Sequence, residues 1–391
     1  MASLFMFEKP LGMRDSLPSL YEKKRTIRES LATTIRSWGY RYLQTPTLEY
    51  YETVGAESAI SDPQLFKLLD QQGHTLVLRP DMTAPIARIA ASRFQQTQYP
   101  LRLAYDGNVF RAQEREGGKP AEFEQVGIEL IGDGSVSADA EVLSLMVESL
   151  HQAGVKEFTV AVGHVGFLNG LFEEIVGKRH AAGKLLQLLY EKNFVGYKEA
   201  VDALSCSVED KEKLTRILTL RSAEDWFSAA AALSTNGKAI NALRELQTLM
   251  QYVKDDGLDA YVKVDVSLVS HMSYYTGILF EGYARDIGSV LCNGGRYNDL
   301  MGKFERDTQA TGFGIRLDRL AAVSELVSNE PLPIIILFSP SQRKEAIQKA
   351  RALRNEGKHV IVQEQSSLEN IDDIADQACE VLDYTDGKKE G

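Results

Sequence analysis

Three separated stretches of the chain hold polar residues whose types and spacing could do chemistry. Arg79-Pro80-Asp81-Met82-Thr83 sets a carboxylate and a hydroxyl just after a run of strand-forming residues. Side chains at such a place can converge on a small polar ligand, and an Asp beside a Thr there equally suits a helix cap. Gln125, Gly127 and Glu129 alternate along one stretch, a short way after Arg111, so they share one face of a strand. Polar groups buried without partners cost about 1–3 kcal/mol each, so that face is either a wet or ligand-filled cavity or a solvated outer surface. Tyr274 and Tyr275 supply aromatic walls with hydroxyl tips, suited to a flat ring that also hydrogen-bonds, although tyrosine pairs also serve as plain packing. Two glycine stretches follow. Asn293-Gly294-Gly295-Arg296-Tyr297 is expected to form a tight turn, and Thr311-Gly312-Phe313-Gly314 a turn ahead of a helix.

The elements that must position these residues can be read from hydrophobic periodicity. Leu20, Ile27, Leu31 and Ile35 recur at near-helical spacing and predict a helix over 18–38, ended by Gly39. Strands are expected at 40–43, 75–78, 101–110 and 123–131, followed by a helix at 138–153 and a strand at 158–162. Residues 166–253 are rich in alanine, leucine, lysine and glutamate and predict a helical insertion. Strands return at 262–266, 277–283 and 288–293, with a helix over 312–327. The polar stretch Ser328-Asn329-Glu330-Pro331 marks a boundary. Beyond it the pattern reads strand, helix 342–357, strand 360–362 and helix 368–382, with a disordered tail from Asp386. The expected fold class is α+β, an antiparallel sheet flanked by helices. Its domains are 1–327, carrying the insertion at about 166–253, and a small α/β unit at 332–391.

Composition excludes several function classes. The 391 residues are 44% apolar, enough for a large core. Lys and Arg number 44 against 55 Asp and Glu, a net charge of −11 that repels a phosphate backbone unless basic residues gather on one face. Cys206, Cys292 and Cys379 form no CxxC pair, and His151, His164 and His180 show no ligand spacing, so neither a disulfide framework nor a metal site is expected. The chain lacks a signal-peptide pattern and an apolar run long enough to span a membrane, so a soluble cytoplasmic protein is expected.

Taken together and in order, from Lys9-Pro10-Leu11-Gly12-Met13-Arg14-Asp15 to Arg319-Leu320, these segments resemble the histidyl-tRNA synthetase family of class II aminoacyl-tRNA synthetases. Residues 39–49, 110–129 and 312–320 resemble the class II motifs, and 268–277 resembles the family's histidine-specific Leu-Val-Arg-Gly-Leu-Asp-Tyr-Tyr segment. The resemblance implies a histidine pocket. Asp81, in place of a family Glu, would hold the α-amino group with Thr83 and Gln125. Glu129 and Tyr275 would face the imidazole, and Arg111 and Tyr274 would complete the site. Arg111 and Arg319 would be a remnant of nucleotide binding.

The departures from that pattern carry the functional reading. Ser270-His271-Met272-Ser273 stands where the family has Arg-Gly-Leu-Asp. The arginine implicated in adenylation is therefore missing, and losing one such donor costs about 10²–10³ in rate. Gln113 replaces a glutamate, while Lys119 and Ala121 replace arginines, each losing a bidentate fork. The C-terminal unit, at about sixty residues, is short against the roughly one hundred of alternating strands and helices that an anticodon-binding domain needs.

A core that keeps the pocket and drops the chemistry resembles the regulatory subunits of ATP phosphoribosyltransferase. That resemblance implies no catalytic residue and no cofactor. It implies a short-form catalytic subunit as partner, histidine as feedback ligand of the first step of histidine biosynthesis, and no tRNA or membrane partner. It also implies a homodimer, formed through residues 40–49, within a larger hetero-oligomer. The alternatives are a divergent histidyl-tRNA synthetase, a stand-alone histidine sensor, and an adenylating relative that uses His271 or Arg316 as its cation.

Overall fold

The computed structural model describes residues 8–94, 100–113, 120–177, 179–220, 225–270, 274–285, 287–327, 331–368 and 378–385. The chain divides into two compact units, Met1–Leu326 and Val327–Gly391.

The first unit opens with helix α1 (Pro18–Ser37), which has proline in its first turn and is followed by Gly39 at φ 83°. Ile27, Leu31 and Ile35 are buried as its periodicity predicts, while Leu20 is 42% exposed. Next come β1 (Arg41–Tyr42), β2 (Leu48–Tyr50), β3 (Lys67–Leu69), β4 (Thr75–Leu78) and α2 (Thr83–Arg93). The long hairpin β5 (Leu101–Phe110) and β6 (Glu122–Ile131) leads to α3 (Val136–Gln152) and β7 (Phe158–His164). The insertion comprises α4 (Val165–Ile175), α5 (Arg179–Tyr190), α6 (Phe194–Asp202), α7 (Val208–Arg216), α8 (Trp226–Ala231) and α9 (Gly237–Asp255). The unit closes with β8 (Val262–Val264), β9 (Ile278–Ala284), β10 (Val290–Arg296), α10 (Asn298–Lys303), β11 (Ala310–Arg316) and α11 (Leu317–Val323).

Eight of these strands form one sheet in the order β1-β5-β6-β11-β10-β9-β7-β8, antiparallel throughout its centre with a parallel strand at each edge. Strands β2, β4 and β3 make a small antiparallel sheet beside it. The alternation along β6 sorts its two faces. Val126, Ile128 and Leu130 are fully buried in the large core beneath α1, α3 and α11, and Gln125, Gly127 and Glu129 point to the opposite side. The insertion shares that large core through Phe167, Leu171, Tyr197 and Leu243, and α4 packs along α9.

In the second unit, β12 (Ile334–Phe338) runs parallel between β13 (Val360–Glu364) and β14 (Glu380–Tyr384), with α12 (Arg343–Asn355) on one side.

Four expectations are corrected. Residues 310–316 are strand β11, and the helix expected over 312–327 is confined to Leu317–Val323. The expected turn at 293–297 is mostly strand β10. Both segments read as turns because of their glycines, yet pairing with β6 and β9 holds them extended. At the C-terminus, Glu380–Tyr384 is a strand rather than the end of a helix, because each residue pairs with β12. Helix α2 and the small sheet were not anticipated. The tail from Asp386, the middle of the helix expected over 368–382, and Lys119, His271, Met272 and Ser273 lie outside the described residues.

Candidate functional site

Strand β6 forms the floor of a cavity of about 670 Å³ in the first unit, a volume suited to one small ligand. Glu129 is 1% exposed there and accepts a 2.5 Å hydrogen bond at Oε2 from the Tyr297 hydroxyl. Room for these side chains comes from β11. A Cβ at Gly312 would lie 2.0 Å from Glu129 Oε2, and one at Gly314 would lie 1.8 Å from Gln125 Nε2. The glycines that suggested a turn are therefore the places where the floor's polar side chains cross the neighbouring strand.

One wall is the loop between β4 and α2. Asp81 is 2% exposed, and its Oδ1 accepts from the Ala84 backbone N–H at 2.9 Å. This is the capping role open to an Asp at a helix start. Its Oδ2 has no hydrogen-bond partner among the described residues, and neither has Gln125 Oε1. Asp81, Thr83, Gln125 and Glu129 all line the same cavity. Tyr274, Tyr275 and Tyr297 form an aromatic wall. The Tyr274 ring lies edge-on to both others, with centroids 5.2 Å from Tyr275 and 5.8 Å from Tyr297.

Burial decides the electrostatics. It pushes the Glu129 carboxyl up to about 8, aided by the Asp81 charge and opposed by the Tyr297 and Thr83 hydroxyls. Burial also raises Asp81, against the Ala84 N–H and the Arg111 guanidinium. Glu281, which also lines the cavity, is raised by burial too, and a cationic ligand would favour the charged forms of such desolvated carboxyl groups.

The other end of the cavity is cationic. Arg111 donates from Nε to the Pro80 carbonyl at 2.9 Å, and burial lowers its pKa. Arg316 lies over the Phe123 ring, 3.4 Å from its centroid, and burial pushes its pKa down to about 10. Arg319 donates to the Val290 carbonyl and also lines the cavity.

All eight anticipated site residues, Asp81, Thr83, Arg111, Gln125, Glu129, Tyr274, Tyr275 and Arg319, fall on this one cavity. Glu281, which follows the tyrosine pair in sequence and is expected beside it in the wall, lines the cavity, whereas sequence reasoning missed Gln187 and Tyr190 of α5, Tyr297, Asn293 and Tyr105 as lining residues. Tyr297 sits in the glycine stretch already noted, and its aromatic hydroxyl beside strand β10 was the available signal. Nothing local marks Gln187 or Tyr190, which the insertion carries to the site.

The departures have structural counterparts. Gln113 donates to the Arg111 and Pro120 carbonyls at 3.0 and 3.4 Å, closing the base of its loop. Ala121 is fully buried, and a Cβ on Gly12 would meet its Cβ at 2.8 Å, so an arginine has no space at 121. Ser270 lines a separate, smaller cavity of about 350 Å³ that shares Gln187, Tyr190 and Tyr275 with the main one.

This sheet and pocket define a class II synthetase-like core. The histidyl-tRNA synthetase family model matches residues 12–320, and a model described as Histidyl-tRNA synthetase HisZ, C-terminal domain, matches residues 335–386. A protein of Geobacillus thermodenitrificans named ATP phosphoribosyltransferase regulatory subunit is 55% identical over 370 residues, 94% of each chain. A solved structure from Bacillus halodurans C, described as an ATP phosphoribosyltransferase regulatory subunit/histidyl-tRNA synthetase, is 50% identical with a TM-score of 0.90, covering 98% of this chain and 99% of that one. Histidyl-tRNA synthetase from Nostoc sp. PCC 7120 shares the fold, with a TM-score of 0.77 at 18% identity over 95% of this chain and 88% of its own. The chain belongs to the family of ATP phosphoribosyltransferase regulatory subunits, built on the histidyl-tRNA synthetase fold.

Proposed function

We propose that this chain is the non-catalytic partner of a short-form ATP phosphoribosyltransferase catalytic subunit, which it activates, and that histidine bound in the β6 cavity is the feedback signal. One observation carries the ligand assignment. Asp81 Oδ2 and Gln125 Oε1 are buried acceptors without partners among the described residues, and both line the cavity that Glu129 floors. Buried acceptors of this kind call for donors, and an ammonium supplies three. In this reading Asp81, Thr83 and Gln125 take the α-amino group, while Glu129 and Tyr275 face the imidazole. Tyr274 walls the site, and Arg111 stands at the cationic end toward the carboxylate. Feedback requires only that histidine binds two conformers of the core with different affinity, a coupling of about 1–3 kcal/mol.

The partnership rests on the naming of the relatives and on the missing adenylation arginine. The net charge of −11 disfavours tRNA as a partner, and no described helix is long and apolar enough to cross a membrane. Exposed Leu48 and Tyr50 on β2 support a two-fold contact near residues 40–49, within a larger hetero-oligomer in the cytoplasm.

Calorimetric titration with histidine, alone and with the catalytic subunit while its rate is followed, tests the reading. Saturable binding with histidine-sensitive activation is expected. Absence of histidine binding would show the pocket residues to be an inherited remnant. Histidine-dependent ATP–pyrophosphate exchange would instead make the chain a synthetase.

A further inference from the structure

The Arg316 guanidinium lies 3.4 Å from the Phe123 ring centroid, the separation of stacked planes. It is held there by Asp318, whose Oδ1 and Oδ2 accept from Arg316 Nε and Nη2 at 3.3 and 3.4 Å. Phe123 lines the cavity yet is only 5% exposed, so Arg316 covers the ring face that would otherwise open into it. Arg111 lies over the same ring at 5.3 Å. Among the other described aromatic residues lining the cavity, Tyr105, Tyr274, Tyr275 and Tyr297 belong to its carboxylate side, Tyr190 belongs to the α5 wall near Arg111, and Phe313 packs into the large core.

We infer that Arg316 is a specificity residue: clamped by Asp318 onto Phe123, it fills the stacking surface at the cationic end, so that the cavity admits a small amino acid and excludes purine nucleotides. Asp318 offsets part of the cost of holding this cation there, against burial and the neighbouring Arg319 and Arg111 charges. A purine could enter only by displacing both the ring contact and the carboxylate bonds. This inference extends the histidine reading by stating what the same cavity rejects.

The test is titration of the full chain with ATP and with AMP in the presence of magnesium, for wild type, Arg316→Ala and Asp318→Asn. Wild type is expected to show no saturable binding at millimolar nucleotide. Arg316→Ala should gain affinity about tenfold or more, the range that base–aromatic stacking supplies, and Asp318→Asn should gain less. Circular dichroism and thermal melting establish that each variant is folded, and Arg316→Gln is read in place of an Arg316→Ala that is not. Wild type binding ATP as tightly as the variant overturns the inference, as does a folded variant with no gain. Histidine titrated into wild type in parallel separates the two readings, because absence of histidine binding defeats the ligand assignment without touching the nucleotide result.

Discussion

The Tyr297 hydroxyl donates to Glu129 Oε2 at 2.5 Å, tying the end of β10 to the β6 carboxyl that burial pushes up to about 8. The bond lowers the Glu129 pKa while burial raises it, so the two residues set the charge of the cavity floor together. Tyr297→Phe is therefore expected to raise the Glu129 pKa further and to cost about 1–3 kcal/mol of stability. Carbon-13 NMR titration of the Glu129 carboxyl, with urea denaturation of the same variant, checks both.

Glu129 also imposes a pH dependence on stability. Its carboxyl ordinarily titrates near 4.5 and in the fold near 8. Below 4.5 it is protonated in both folded and unfolded chains; between 4.5 and 8 only the folded chain keeps the proton. Stability is thus lost as pH rises through this window, by up to about 1.4 kcal/mol per pH unit. Asp81, also raised by burial, acts in the same direction. Glu129→Gln should flatten the slope in a series of thermal melts from pH 5 to 8.

Asp81 divides its two oxygens between capping and the cavity. In Asp81→Asn the amide oxygen can keep the Ala84 bond, so stability should change little, while histidine affinity falls by about 10–100-fold through loss of the charge-assisted bond. Asp81→Ala should lose the cap as well, at about 1 kcal/mol. Calorimetry and denaturation on the two variants separate the roles.

Gly312 and Gly314 are required by the floor rather than by a turn. In Gly312→Ala the new Cβ would lie 2.4 Å from the Ile128 carbonyl as well as against Glu129, and backbone cannot step aside as a side chain can. A destabilisation of about 1–3 kcal/mol or more is expected, together with loss of histidine binding. Thermal melting and titration would show it.

Behind Tyr297, Arg296 and Asp139 form a buried pair at 2.9–3.0 Å, and Arg296 also donates to the Asp133 and Ser135 carbonyls. Asp139→Ala leaves that guanidinium buried without its carboxylate, at an expected cost of about 3–5 kcal/mol. Denaturant unfolding measures it directly.

Local pattern was enough to identify much of this protein. Strands at Thr75–Leu78 and Leu101–Phe110 coincide with their sequence-based bounds, and along the second Leu101, Leu103, Tyr105 and Val109 are buried on one side at a period of two. The same alternation put Gln125 and Glu129 on one face, and the order of the motifs carried the family resemblance.

What required the tertiary structure was every feature whose cause lies on another element. Glycine reads as a turn in isolation, but at 312 and 314 it answers to side chains of β6. Glu380–Tyr384 looks helical until β12 offers it a ladder. Gln187 and Tyr190 reach the cavity only because the insertion folds over it, and Arg316 gains its role only from Phe123. Sequence determined which residues face together along each element; the packing of strands distant in the chain decided which of those faces became a site, since desolvation and hydrogen-bond partners exist only once the elements meet.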